Sequence, residues 1–194
     1  YDFVGLTEKS AEMAASYLDQ QQKAKPASPW LSAVGMHAEL QAAAGNIEAA
    51  RSGIDTLREA CPDGCGGDLF SYLSSVWWAI APDEHPELSE SLLSDMLELA
   101  SEGRGRQLAA ARLYQGVESL RQEKFNEALI AFLESKRLYE KFGVIEGKAR
   151  ALYFGMLAEI KRENNQNAYE LGKEAIDLRK EMRDFEGLAR VYHR

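Results

Sequence analysis

The chain has 194 residues, 45% hydrophobic and 28% charged, the composition of a folded protein with enough apolar mass for a core. Its net charge of −8 argues against direct contact with a phosphate backbone. No apolar run approaches the ~20 residues that span a bilayer, and no basic-then-apolar leader opens the sequence.

Alanine, leucine and glutamate dominate, and no alternating run of valine, isoleucine or threonine marks a strand, so an all-α fold is expected. A first helix is predicted over residues 8–22, with Thr7 as N-cap and Met13, Ala14, Tyr17 and Leu18 as its apolar stripe. Lys25-Pro26-Ala27-Ser28-Pro29 stops it. Helices Trp30–Ala44 and Ile47–Ala60 follow, turned at Gly45-Asn46 and ended by Cys61-Pro62-Asp63-Gly64. Asp68–Ala81 is an aromatic helix carrying Phe70, Tyr72, Trp77 and Trp78. Pro82–Pro86 breaks the chain before Leu88–Ser101. Gly103-Arg104-Gly105 opens a pair of helices over Gln107–Gln122 and Phe125–Phe142. The next pair covers Gly147–Arg162 and Ala168–Met182, joined by residues 163–167, and Glu186–Arg194 begin another.

A pentapeptide sets the ruler. Glu146-Gly147-Lys148-Ala149-Arg150 returns 40 residues later as Glu186-Gly187-Leu188-Ala189-Arg190. A fixed period of this length is the mark of stacked helical repeats, in which each pair buries its apolar face against a neighbour. Gly45-Asn46-Ile47-Glu48-Ala49-Ala50, with Ile54, Leu57 and Pro62, resembles the turn and second helix of a tetratricopeptide (TPR) repeat. Phe125-Asn126-Glu127-Ala128-Leu129, with Phe132, Ser135 and Leu138, resembles it closely, and Gly116 stands where that family keeps a small residue in the first helix. Val34, His37, Gln41, Arg112 and Gln115 depart from the family's apolar positions. The resemblance implies a single array over 1–194, a right-handed α-α superhelix of about ten antiparallel helices. Its parts would be the lone helix, repeats over 30–64, 104–142 and 145–183, a degenerate repeat over 66–102, and a truncated one over 184–194. The 40-residue period exceeds the 34 of the common TPR and is similar to arrays flanking bacterial signalling and transcription-regulating proteins. The start at Tyr1, and the end inside a new pair, lead us to expect a fragment of a longer protein, with Phe185 and Leu188 exposed on its last helix.

Other constellations carry less. Cys61 and Cys65 flank a Pro-Asp-Gly turn. Two unpaired thiols are expected, with a disulfide or half a zinc site as alternatives. A disulfide would move the expected cytoplasmic location to an exported one. Glu134, Lys136, Arg137, Glu140, Lys141, Glu146, Lys148 and Arg150 read as solvated helix faces. Arg150 and Arg190 could instead tie repeats together through a carboxylate. His37, His85 and His193 lack a nucleophile at motif spacing, and no Gly-x-Ser-x-Gly elbow or phosphate loop occurs. No catalytic residue, metal site or cofactor is expected.

The resemblance implies a protein- or peptide-interaction module whose concave face is lined by first helices. Glu39, Trp77, Trp78, Leu113, Arg121, Met156 and Glu159 are its candidates there. A structural scaffold, homodimeric through the cut repeats or the aromatic helix, is the alternative. A phosphatase-like helical regulator is the third reading.

Overall fold

The computed structural model describes residues 28–61, 68–80, 85–101 and 105–192. The helix expected over 8–22, Cys65 and His193 lie outside them. Nine helices and no strand occur among the described residues, in an all-helical, repeat-like architecture. No described helix is long and apolar enough to cross a membrane. The chain divides into two compact units, residues 1–99 and 100–194.

The first unit holds α1 (Ser28–Ala43), α2 (Ile47–Ala60), α3 (Asp68–Ala79) and all but the last two residues of α4 (Pro86–Ser101). Helices α1 and α4 start earlier than expected, each with a proline in its first turn. That turn has no intrahelical use for the missing N–H. Helices α1 and α2 approach closely because Gly53 faces Ala38, where an added Cβ would stand 2.9 Å from the alanine methyl. Polar residues replace apolar ones at the end of α1 because they form a chain. Asn46 Nδ2 donates to Gln41 Oε1 at 2.8 Å, and Gln41 Nε2 lies 3.0 Å from His37 Nε2. Burial lowers the His37 pKa. The Tyr72 ring of α3 sits on Gly35 of α1, and its hydroxyl donates to Ser32 Oγ at 2.9 Å. Arg58 of α2 bonds Asp95 of α4 through Nε at 2.8 Å and reaches Ser91. Within this unit, first helix meets first and second meets second. Cys61, buried at the end of α2, is disulfide-bonded, which overturns the expectation of two unpaired thiols.

The second unit is regular. Helices α5 (Gly105–Arg121), α6 (Phe125–Lys141), α7 (Ile145–Lys161) and α8 (Asn165–Glu181) are each 17 residues long and begin 20 residues apart. Helix α9 (Phe185–Tyr192) keeps the same step. The 40-residue period is therefore two helix-plus-turn steps. Glu123, Gly143, Glu163 and Arg183 all take positive φ, between 57° and 66°. At each, two N–H groups close the preceding helix in a Schellman pattern, as when Glu163 N donates to Ile160 O and Asn164 N to Glu159 O. The next residue is the N-cap position of the following helix. Lys124 and Val144 make no side-chain cap bond there, but the Asn164 side chain accepts from Asn167 N, and Asn165–Asn167 are helical rather than linker.

Packing follows the same step. Ala128 and Ala168 are buried where second helices meet first ones. Buried Ser135 donates to Ala109 O at 2.7 Å, and Ala175 takes its place one repeat later. The charges expected to be solvated do more than line a face. Glu174 of α8 receives Lys136 of α6 at 2.7 Å and Lys148 of α7 at 3.0 Å, and Lys148 also reaches Glu140 at 2.8 Å. Phe185 is 77% exposed, as expected for the last helix, whereas Leu188, also expected to be exposed, is half-buried.

Candidate functional site: a charged depression between the two pentapeptides

The fold brings the two pentapeptide copies together. Their glycines have one job in two settings. Gly147 gives room to the Tyr139 ring, since an added Cβ would meet it at 2.5 Å. Gly187, 40 residues on, gives room to Arg179 in the same way. Each glycine thus lets the first helix settle on the last turn of the preceding second helix.

Their glutamates and arginines face one open depression of about 260 Å³, lined by Glu146, Arg150, Arg179, Asp184, Glu186 and Arg190. Arg179 is 7% exposed and pairs with Asp184. Asp184 is the N-cap residue of α9, and its other oxygen accepts from Gly187 N at 2.8 Å. That backbone N–H, assisted by Arg179, holds the Asp184 carboxyl below the usual range. Arg190 pairs with Glu186 along α9, and both are largely exposed. The floor is an ion pair between buried Arg179 and half-buried Asp184, and the rim carries charges open to solvent. Such a surface suits polar side chains of a bound segment, because solvent-exposed charges give up little hydration until contact. Tyr139, beneath the Gly147 side, has its pKa pushed up to about 12 by burial and by Tyr114, against the pull of Arg150.

The candidates named from sequence fall elsewhere. Trp77 is 2% exposed and Trp78 44%, with ring centroids 5.0 Å apart in a T arrangement, so one tryptophan is core and its neighbour faces outward. Leu113 is 1% exposed, in the core of α5. Met156 is also buried, with its sulfur over Gly172. Glu159 is buried, pairs with Arg162 at 2.6 Å and accepts from Asn167 at 3.1 Å. Half-buried Arg121 pairs with Glu118. Glu39 is exposed on α1. Among these, Met156 alone borders an open groove of about 580 Å³ formed by α7, α8 and α9, with Ile160, Tyr169, Ile176, Val191 and Tyr192. Sequence reasoning missed Arg179 and Asp184. They stand outside the duplicated pentapeptide, and Tyr139 and Val144 occupy their places one repeat earlier. Among the described residues, no group of three or more histidine, cysteine or acidic side chains could hold a metal ion. No family model and no curated protein matches the chain.

Proposed function

We propose that the chain is a protein-interaction module, a TPR-like right-handed superhelix that binds a peptide or protein segment on the side presented by its first helices. The observation that carries this reading is the convergence of Glu146, Arg150, Glu186 and Arg190 on one open depression. Residues repeated for helix packing alone would point inward, whereas Glu186 and Arg190 are exposed. The long repeat step supports a place in the regulatory part of a larger bacterial signalling protein. The disulfide at Cys61 supports an oxidising compartment over the cytoplasm.

A peptide array probed with the chain tests the reading. We expect binders whose signal falls on adding salt and is lost in Arg190→Ala and Arg150→Ala. Binders indifferent to both substitutions, or no binder at all, would overturn it. A scaffold role is the second reading, favoured by the apolar groove on α8, where Tyr169 is 68% and Tyr192 64% exposed.

A further inference from the structure

We propose that His37, Gln41 and Asn46 form a proton-operated relay: a proton taken up by the His37 ring reverses both amides and changes what the α1–α2 turn offers to solvent from a hydrogen-bond acceptor to a donor. The amides run in one direction in the structure. Asn46 Nδ2 donates to Gln41 Oε1 at 2.8 Å, so Gln41 turns its NH2 group to His37, whose Nε2 lies 3.0 Å away. An amide nitrogen only donates, so this ring nitrogen accepts, and the neutral ring carries its hydrogen on Nδ1. At the far end, exposed Asn46 makes no cap bond to α2, which leaves its Oδ1 to solvent. Protonation makes His37 Nε2 a donor, so that two donors face each other. Gln41 is buried, and a buried donor without an acceptor is costly. Turning the Gln41 amide over gives its oxygen to the ring and its NH2 group to Asn46. Amide oxygen and nitrogen fill nearly the same space, so no neighbour has to move. Asn46 then turns in the same way, accepts through Oδ1 and shows its NH2 group to solvent.

The backbone keeps the three groups together in both states. Gly45, at a φ of 80°, reverses the chain, and Asn46 N donates to Gln41 O at 2.8 Å, so the Asn46 side chain stays beside Gln41. The surroundings leave the proton to the amides. From α2, Ala49, Ser52, Gly53 and Thr56 share a small cavity with the ring, and none is charged. Tyr72 of α3 is committed to Gly35 and Ser32, and Gly35 lies about 200° around α1 from His37. Glu39, the acidic residue of α1, is exposed. The chain of amide dipoles, and not a carboxylate, therefore answers the charge on the ring. The relay belongs to the first unit and does not depend on peptide binding at the charged depression.

An NMR titration of the chain between pH ~5 and ~8, the range in which histidine changes charge, tests the relay. The ring nitrogens of His37 and the side-chain amides of Gln41 and Asn46 should shift with one midpoint, below the ordinary histidine value because the ring is buried. Above that midpoint the hydrogen of His37 should sit on Nδ1. Gln41→Met keeps the volume and cuts the relay, so His37 should still titrate while the Asn46 amide stays still. In His37→Phe both amides should be independent of pH over this range, which separates His37 from the other histidines. The unmodified chain and His37→Phe decide the matter even where Gln41→Met fails to fold. An Asn46 amide that does not follow His37 in the unmodified chain would overturn the proposal. So would one that still follows it in Gln41→Met, or a neutral His37 with its hydrogen on Nε2.

Discussion

Gly187 lies so close to Arg179 that a methyl group at its Cα would overlap the guanidinium. Gly147 stands in the same relation to Tyr139, at 2.5 Å. The two contacts differ in how they can yield. The tip of an arginine swings aside, but a buried ring is fixed by its neighbours. Gly147→Ala should therefore destabilise the chain by about 1–3 kcal/mol, the range for overpacking. Gly187→Ala should cost less while breaking the pair with Asp184. Urea denaturation of both variants checks the order.

The two helix pairs of the second unit exchange a large and a small residue. In α5 and α6 Gly116 faces Phe132, and in α7 and α8 Met156 faces Gly172, whose added Cβ would lie 2.8 Å from the sulfur. Gly116→Ala meets a rigid ring and should cost about 1–3 kcal/mol. Gly172→Ala meets an adaptable thioether and should cost less than Gly116→Ala. Phe132→Ala should cost about 3–5 kcal/mol, because the ring is 1% exposed. Denaturant midpoints for the three variants give the ranking.

Glu163 holds a φ of 59° that glycine adopts without strain. Its side chain is exposed, so Glu163→Gly removes strain without opening a cavity. We expect a gain of about 1 kcal/mol, and a loss of similar size for Gly143→Ala at the matching turn. Thermal melts of the pair should move in opposite directions.

The acid and alkaline limits follow from different groups. Asp184, Glu174 and Glu140 have folded pKa values below their ordinary ones. Their contribution is present above the unfolded carboxylate range and is lost as pH falls through the lower folded values. Tyr139 is raised to about 12, so the unfolded chain loses this proton first. Its contribution is complete below pH ~10 and is lost as pH rises toward the folded value. Lys148, raised by hydrogen bonds to Glu140 and then Glu174, acts in the same direction. Tyr139→Phe should flatten the fall in stability between pH ~10 and ~12, and Asp184→Asn should flatten the acid fall. Stability measured across both windows checks the signs.

The helices of the second unit were legible because their apolar and small residues recur on a fixed step. The ends were less so. Asn165–Asn167 read as linker until Asn164 is seen to cap them, and prolines at helix starts read as breaks. The site was legible only in part. The pentapeptide marks Glu146, Arg150, Glu186 and Arg190, but no period reveals Arg179, because Tyr139 stands in its place. Leu113, Arg121, Met156 and Glu159 of the second unit do not share one open surface, for a related reason. With Gly116 and Met156 facing the second helices, the rotation of the first helices buries Leu113 and Met156. A family pattern of large and small positions does not disclose that exchange.

On the proposed function, the two pentapeptide copies form one binding surface. The most direct measurement follows the arginine Nε–Hε signals of Arg150, Arg179 and Arg190 by NMR during titration with the peptides selected on the array. Signals from both copies should shift along one binding curve, with Arg179 responding through Asp184. Bound peptide that leaves the signals of either copy unmoved would contradict it.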